Sequence, residues 1–137
     1  MDDIIKTMKI SSAGMRAQSA RLKVISENLA NANSLAQGPN GKPYRRKIIT
    51  FFNELDRKMG LQKVQVRKIT SDMSAFGKKF DPQHPAADQD GYVLTPNVNT
   101  LIEMTDMREA QRSYEANMEM IKASKSMLSG TIEVLKR

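Results

Sequence analysis

The 137-residue chain has no cysteine, no tryptophan and a single histidine. Without cysteine it can form neither a disulfide framework nor a thiolate site. His84 lies in a proline-bounded loop with no second histidine, so neither a zinc site nor a Ser-His-Asp triad has support. Because no base, nucleophile or ligand set is present, we expect no enzymatic activity and no cofactor.

Aromatic residues and long apolar runs are also scarce. The chain has seven aromatic residues and 39% hydrophobic residues, a thin supply for the core of a self-sufficient domain. No apolar run approaches the ~20 residues that span a bilayer. The N-terminus lacks the basic and apolar segments of a secretory signal, so we expect no cleaved signal peptide.

Two short segments resemble ligand-binding loops but lack the required residues. Asp88–Gly91 resembles part of a calcium loop, yet Ala86 and Asn97 would occupy ligand positions. Gly38–Lys42 resembles a phosphate loop, but Pro43 replaces the hydroxyl residue that would meet magnesium. Both segments are therefore predicted to be turns.

The chain is rich in heptads at both ends, over residues 4–34 and about 100–136. In both segments the spacing of the a and d positions, which are mostly uncharged, alternates between four and three, which is the pattern of a coiled-coil seam. The first seam reads Ile4, Met8, Ser11, Met15, Gln18, Leu22, Ile25 and Leu29. The second reads Met104, Met107, Gln111, Tyr114, Met118, Ile121, Lys125, Leu128, Ile132 and Leu135.

Each predicted helix also carries a second uncharged face. On the first it comprises Ile10, Ala13, Ala17, Ala20 and Val24, and on the second Ile102, Ala116, Met120, Ala123, Met127 and Val134. A helix that buries two faces needs more than one neighbour, and two such helices cannot satisfy each other. The pattern predicts a subunit of an assembly. Gly14 costs ~1 kcal/mol relative to alanine in mid-helix, so it marks either a close helix neighbour or a local weakness.

The middle of the chain predicts strands and turns. Strand candidates are Tyr44–Phe52, Val64–Val66 and Gly91–Leu94, separated by Gly- and Pro-rich segments. Thr100 and Glu103 fit a capping box at the start of the second helix. We predict an α+β fold with two long terminal helices that pair as a coiled-coil-like unit. The predicted domains are an N-terminal helix (1–34), a basic β-containing middle (35–96) and a C-terminal helix (97–137).

The net charge of +7 is concentrated in the middle domain. The cluster Tyr44, Arg45, Arg46 and Lys47 combines basic and aromatic side chains, which favours either a protein-contact patch or a grip on single-stranded nucleic acid. No nucleic-acid-binding signature accompanies the cluster. The alternative to an assembly protein is therefore a basic nucleic-acid-binding adaptor that dimerises through its coiled-coil ends, with the protein-contact patch preferred.

Both ends of the chain resemble one protein family. The segment Glu27–Ser34, which reads ENLANANS, and the segment Ala110–Asn117, which reads AQRSYEAN, are similar to the terminal motifs of bacterial flagellar rod, hook and hook-associated proteins. Ser34 replaces the usual threonine and keeps the hydroxyl group. The segments around Pro43–Lys47, Asp81–Pro85 and Gly91–Val93, with the short length, resemble the proximal-rod members of that family.

The resemblance implies a structural subunit of the flagellar basal-body rod that is exported from the cytoplasm through the type III apparatus into the periplasmic space. Expected partners are other rod proteins, the rod-base protein and the membrane ring. From the heptads and the terminal motifs together, the residues expected to pack the helices in the assembly are Met8, Met15, Leu22, Ile25, Asn28, Leu29, Asn31, Tyr114, Asn117, Met118, Ile121, Leu128, Ile132 and Leu135.

Overall fold

The computed structural model describes residues 1–136. Its elements in chain order are helix α1 (Asp2–Ala30), strands β1 (Lys47–Asp56), β2 (Leu61–Ser71), β3 (Gly77–Phe80) and β4 (Tyr92–Thr95), and helix α2 (Thr100–Leu135). The predicted α+β fold is confirmed, since two long terminal helices flank a small region of antiparallel strands.

The chain divides into two compact units, one built from three segments and the other from two. Unit 1 comprises residues 1–22, residues 50–68 and the described chain from Arg108 onward. Unit 2 comprises residues 23–49 and 69–107. Each helix and each of the two long strands contributes residues to both units.

The two helices pair in antiparallel fashion within unit 1. Gly14 of α1 lies against Asn117 of α2, because a Cβ atom added at Gly14 would stand 2.8 Å from Asn117 Nδ2. About two turns further along α1, Arg21 forms an ion pair of 3.4 Å with Glu109. Glu109 precedes Asn117 in the sequence of α2. The order of these contacts along α2 is the reverse of their order along α1. The predicted pairing of the helices is therefore confirmed.

Helix α2 begins with a different cap from the one predicted. Asn99 Oδ1 accepts hydrogen bonds from the backbone N–H groups of Leu101 (3.1 Å) and Ile102 (3.4 Å). An asparagine in this position is a strong N-cap because it satisfies donors that have no partner inside the helix. The predicted capping box at Thr100 and Glu103 is wrong, since the Glu103 side chain turns away to contact Asn28 and Arg46.

The strands form two separate two-stranded sheets. β1 and β2 form a hairpin in which Lys63 contacts both Glu54 and Asp56 across the sheet, at 3.4 and 3.7 Å. Gly60 in the turn has a φ of +62°, a conformation that glycine adopts without strain. β3 pairs antiparallel with β4, from Gly77 opposite Thr95 to Phe80 opposite Tyr92.

Two of these strands differ from the sequence-based expectation. Strand β1 begins at Lys47, so Tyr44, Arg45 and Arg46 precede the strand that was predicted to include them. Strand β3 was not predicted. The reason for the first difference is that the Tyr44 and Arg46 side chains bond to groups on the two helices.

Candidate assembly faces and a buried polar junction

The buried side of α2 follows a heptad that differs from the predicted one at every other position. The prediction included Met107, Tyr114, Ile121 and Leu128, and these side chains are half-buried. The positions between them lie one residue earlier than predicted. They are the buried residues Glu103, Ala110 and Ser124 and the half-buried Asn117. The seam of α2 therefore alternates polar or small residues with large apolar ones.

The residues predicted for helix packing differ widely in burial. On α1, Ile25 and Asn28 are buried at 4% and 1% exposure, and Met8, Met15, Leu22 and Leu29 are half-buried. Asn31, just beyond the end of the helix, is half-buried as well. On α2, Met118 is half-buried, whereas Ile132 and Leu135 are exposed. The chain thus covers the predicted positions more completely on α1 than at the end of α2.

Gly14 marks a close approach between the helices of unit 1. All three atoms nearest to an added Cβ belong to the Asn117 side chain, at 2.8 to 3.0 Å. Asn117 Nδ2 also donates a hydrogen bond of 2.8 Å to the Ser113 carbonyl, which holds the amide in place. Of the two interpretations of Gly14, the close helix neighbour is confirmed.

Most of the second face of α1 is also covered within the chain, although Ile10 is 43% exposed. Ala13, Ala17 and Val24 are buried, with 5%, 3% and 4% of their surface exposed. In unit 1, Ala13 and Ala17 line a cavity of about 330 Å³ together with Lys63–Val66 of β2. Nearby, Lys9 Nζ lies 2.8 Å from Met59 Sδ in the hairpin turn. The expectation that neither helix finds a second neighbour in its own chain is therefore wrong for α1.

The second face of α2 is exposed. We define the α2 stripe as the uncharged residues that recur at spacings of four and three along the solvent side of unit 1: Ala116, Met120, Ala123, Met127, Gly130 and Val134. Met120, Met127 and Val134 are 50%, 61% and 74% exposed. No atom lies within 4 Å of a Cβ added at Gly130. A contiguous apolar stripe of this kind is typical of an interaction surface.

Asn28 forms the centre of a buried polar junction in unit 2. Its Nδ2 group donates to the Lys47 carbonyl (2.9 Å) and to Glu103 Oε2 (3.2 Å). Its Oδ1 atom accepts from the Tyr44 hydroxyl (2.8 Å) and from the Lys47 backbone N–H (2.9 Å). Both donors and both lone pairs of the amide are thereby used. Asn28 therefore ties the end of α1 to the start of β1 and to α2.

Arg46 and Glu103 add a charged pair to this junction. The Glu103 side chain is only 1% exposed and accepts a hydrogen bond from Arg46 Nε. Arg46 Nη1 also lies 3.4 Å from Asp72 Oδ2. Burial opposes the charge on Arg46, but hydrogen bonds to Glu103 and Asp72 outweigh this effect and raise its pKa. The Ser74 backbone N–H, 2.9 Å from Asp72 Oδ1, is the main cause that lowers the pKa of Asp72.

Every member of the cluster Tyr44–Lys47 has a partner in its own chain. Arg45 stacks 4.1 Å above the Phe76 ring and donates to two backbone carbonyls. Lys47 Nζ lies 2.7 Å from Glu27 Oε2, and this hydrogen bond lowers the pKa of Glu27. Burial raises the pKa of Tyr44. These contacts occupy the side-chain groups that would bind nucleic acid. They therefore favour a structural role for the cluster over the alternative of a nucleic-acid-binding adaptor.

Sequence reasoning missed Glu103, Asp72 and Asn97 as members of the junction. Asn97 Oδ1 accepts from the Arg46 backbone N–H (2.8 Å), and its Nδ2 group donates to the Asp72 carbonyl (3.0 Å). The only signal for Glu103 was its seven-residue spacing from Ala110, Asn117 and Ser124. A carboxylate in that series is unexpected because a buried charge needs a partner that the helix itself does not supply.

Neither a spanning helix nor a cluster of metal ligands is found in the part of the chain that the structure describes. No helix within residues 1–136 is long and apolar enough to cross a membrane. No group of three or more histidine, cysteine, aspartate or glutamate side chains in the same range is arranged to hold a metal ion.

Two family models match the ends of the chain. Residues 8–34 match the model described as flagella basal body rod protein. Residues 89–134 match the model described as flagellar basal body rod FlgEFG protein C-terminal. The matched ranges contain most of α1, strand β4 and nearly all of α2.

Several relatives are similar over nearly the whole length, and each is named flagellar basal-body rod protein FlgC. The protein from Agrobacterium fabrum is 47% identical over 99% of this chain and 98% of its own length. The Bacillus subtilis protein is 38% identical over 93% and 95% of the two chains. The Salmonella typhimurium protein is 36% identical over 94% and 96%.

Proposed function

Because the chain belongs to the FlgC family of flagellar basal-body rod proteins, we propose that it is a structural subunit of the proximal rod. It assembles with other rod proteins through its terminal helices, around the channel through which subunits are exported. It reaches the periplasmic rod by the type III route, and its partners include the rod-base protein and the membrane ring. The exposed α2 stripe is the single observation that carries the assembly part of this proposal.

The stripe fits a helix-packing partner by its chemistry. Methionine side chains adapt to irregular contacts, and small residues between them let another backbone come close. Burial of apolar surface contributes about 25 cal/mol per Å², so a neighbour that covers Met120, Met127 and Val134 stabilises the assembly. Met118 and Ile121, which the sequence also suggested, are half-buried within the chain. A change there would disturb the fold as well as the assembly.

The proposal is tested by replacing Met120 and Met127 together with glutamate in a motile strain that carries no other copy of the gene. We expect a folded, exported subunit that fails to enter the rod, because glutamate makes burial of the stripe unfavourable. The measurements are electron microscopy of purified basal bodies and swimming in soft agar. The control exchanges Glu119 and Lys122, which form an exposed ion pair of 2.8 Å beside the stripe.

The control variant should retain motility, since exposed ion pairs contribute about 0–1 kcal/mol. Circular dichroism of the purified double mutant establishes that its helices remain intact. Complete rods and normal swimming in the Met120→Glu, Met127→Glu strain would show that the stripe is not an assembly face.

A further inference from the structure

The second sheet of unit 2 has one closed edge and one open edge. In an antiparallel pair, successive residues point their backbone groups alternately toward the partner strand and away from it. The Asp81 N–H donates to the Gly91 carbonyl (2.9 Å), which fixes this alternation. By the register, Lys79 then faces Val93, while Lys78 and Phe80 point their N–H and C=O groups outward.

The outward groups of β4 are already satisfied. The Tyr92 N–H donates to Asp88 Oδ1 (2.8 Å), and the Tyr92 carbonyl accepts from the Asp88 N–H (2.9 Å). Within residues 1–136 no third strand pairs with β3, and all four of its residues are exposed. The edge of β3 is therefore a row of backbone donors and acceptors open to solvent.

The side chains beside this edge form an apolar face with one basic residue. Lys78, Phe80, Tyr92 and Leu94 share one face of the sheet because Lys78 lies opposite Leu94 and Phe80 opposite Tyr92. The two rings pack edge to face with centroids 5.3 Å apart, yet they remain 63% and 42% exposed. A cavity of about 170 Å³ borders Lys78, Tyr92 and Leu94, which is too small for a typical ligand.

Charge decides which strand this edge can accept. Two copies that paired β3 with β3 would bring the lysines at 78 and 79 opposite each other, and like charges across a strand pair are destabilising. The residues 1–136 supply no ion-pair partner to either lysine. A strand with acidic side chains on the Lys79 face would give this lysine a partner while its backbone pairs with the open edge.

We propose that β3 is a docking edge for an extended segment of a different protein chain in which acidic and apolar residues alternate. The segment adds a third strand beside Lys78–Phe80, as in other cases of strand addition. Its apolar residues cover the Phe80 and Tyr92 rings, and its carboxylates lie on the opposite face of the sheet, beside Lys79. This surface is separate from the α2 stripe and does not depend on rod assembly.

The test uses the full chain labelled with ¹⁵N and a ten-residue peptide that alternates valine and glutamate. We expect the amide signals of Lys78 and Phe80 to shift and to gain protection from hydrogen exchange. A peptide that alternates valine and lysine should cause no change. No shift at these two amides with about 1 mM acidic peptide, a concentration that detects even weak binding, overturns the proposal.

Two variants separate the backbone and charge contributions. Lys78→Pro removes the outward N–H but no bond to β4, so it should abolish the shift while β4 signals stay in place. The change Lys79→Glu replaces an attraction with a repulsion on the acidic face and should weaken binding about five- to tenfold. Lys58→Glu makes the same charge change in the hairpin turn and should leave binding unaltered. Equal weakening by Lys58→Glu, or protection of β3 by a second copy instead, would also overturn it.

Discussion

The two terminal helices carry the same two-faced pattern of mostly uncharged residues, but the second face of α1 is largely buried within its own chain and the second face of α2 is exposed. Val24 on the second face of α1 is 4% exposed, whereas Val134 on the second face of α2 is 74% exposed. The difference lies in what the faces carry. Ala13 and Ala17 are small and lie beside β2, while the long side chains of Met120 and Met127 remain in solvent.

This difference indicates which helix stabilises the subunit and which is available to a neighbour. A face that is already buried contributes to folding, and a face that is still exposed can contribute only to association. We therefore infer that α1 acts mainly as the internal support of the fold. Helix α2 offers the larger unsatisfied apolar surface.

The difference in burial between the two helices is tested most strongly by placing one charge on the second face of each helix. Val24→Asp should lower the free energy of unfolding by about 4 kcal/mol because it buries an unpaired carboxylate. Val134→Asp should change it by less than about 0.5 kcal/mol, since the site is exposed. Chemical denaturation followed by circular dichroism measures both. Equal effects of the two substitutions would contradict the asymmetry between the helices.

A second test compares Asn28, in the last turn of α1, with Asn31, which follows the helix. Asn28→Ala should destabilise the protein by about 3 kcal/mol because the Tyr44 hydroxyl and the Lys47 backbone groups lose their partner. Asn31 is the matched control, since its side-chain bond runs only to the Glu27 carbonyl in the last turn of α1. Asn31→Ala should cost less than about 1 kcal/mol. Thermal unfolding in which Asn31→Ala destabilises the protein more than Asn28→Ala would show that the junction does not stabilise the fold.

The smallest expected effect concerns the two helical glycines. Gly14→Val should destabilise by about 2 kcal/mol, because the added atoms collide with the Asn117 amide. Gly130→Ala meets no atom within 4 Å and should stabilise by about 0.5–1 kcal/mol through helix propensity. Denaturation midpoints compare the two variants. A stabilising Gly14→Val would show that the helices are not in close contact at that point.

The paired helices could be predicted because their pattern is local. Apolar residues recur every seven positions along α2, at Met107, Tyr114, Ile121 and Leu128. Hydrophobic periodicity alone therefore identifies them. The other half of the α2 seam could not be found in this way. Glu103, Asn117 and Ser124 are polar residues, and apolar periodicity does not select polar residues.

In the middle of the chain, too, the local sequence pattern does not show which residues form the strands. Tyr44–Arg46 has the composition of a strand, but its side chains bond to the helices and the strand begins at Lys47. Strand β3 contains two lysines and a glycine, so its composition gives no strand signal. It becomes a strand only because β4 returns beside it after a turn at Gly91. Tertiary contacts outweigh local propensity in such short elements.

The sequence by itself determined the two helices, their seven-residue repeats and the family to which the chain is similar, because these depend on the order of residues along one segment. Only the tertiary structure decided which repeats are buried. The carboxylate of Glu103 can be buried in the seam because Asn28 and Arg46, from distant parts of the chain, donate hydrogen bonds to it. The second face of α1 is buried because the β1–β2 hairpin lies beside Ala13 and Ala17. The α2 stripe has no such neighbour within unit 1, and its exposure is a property of the fold.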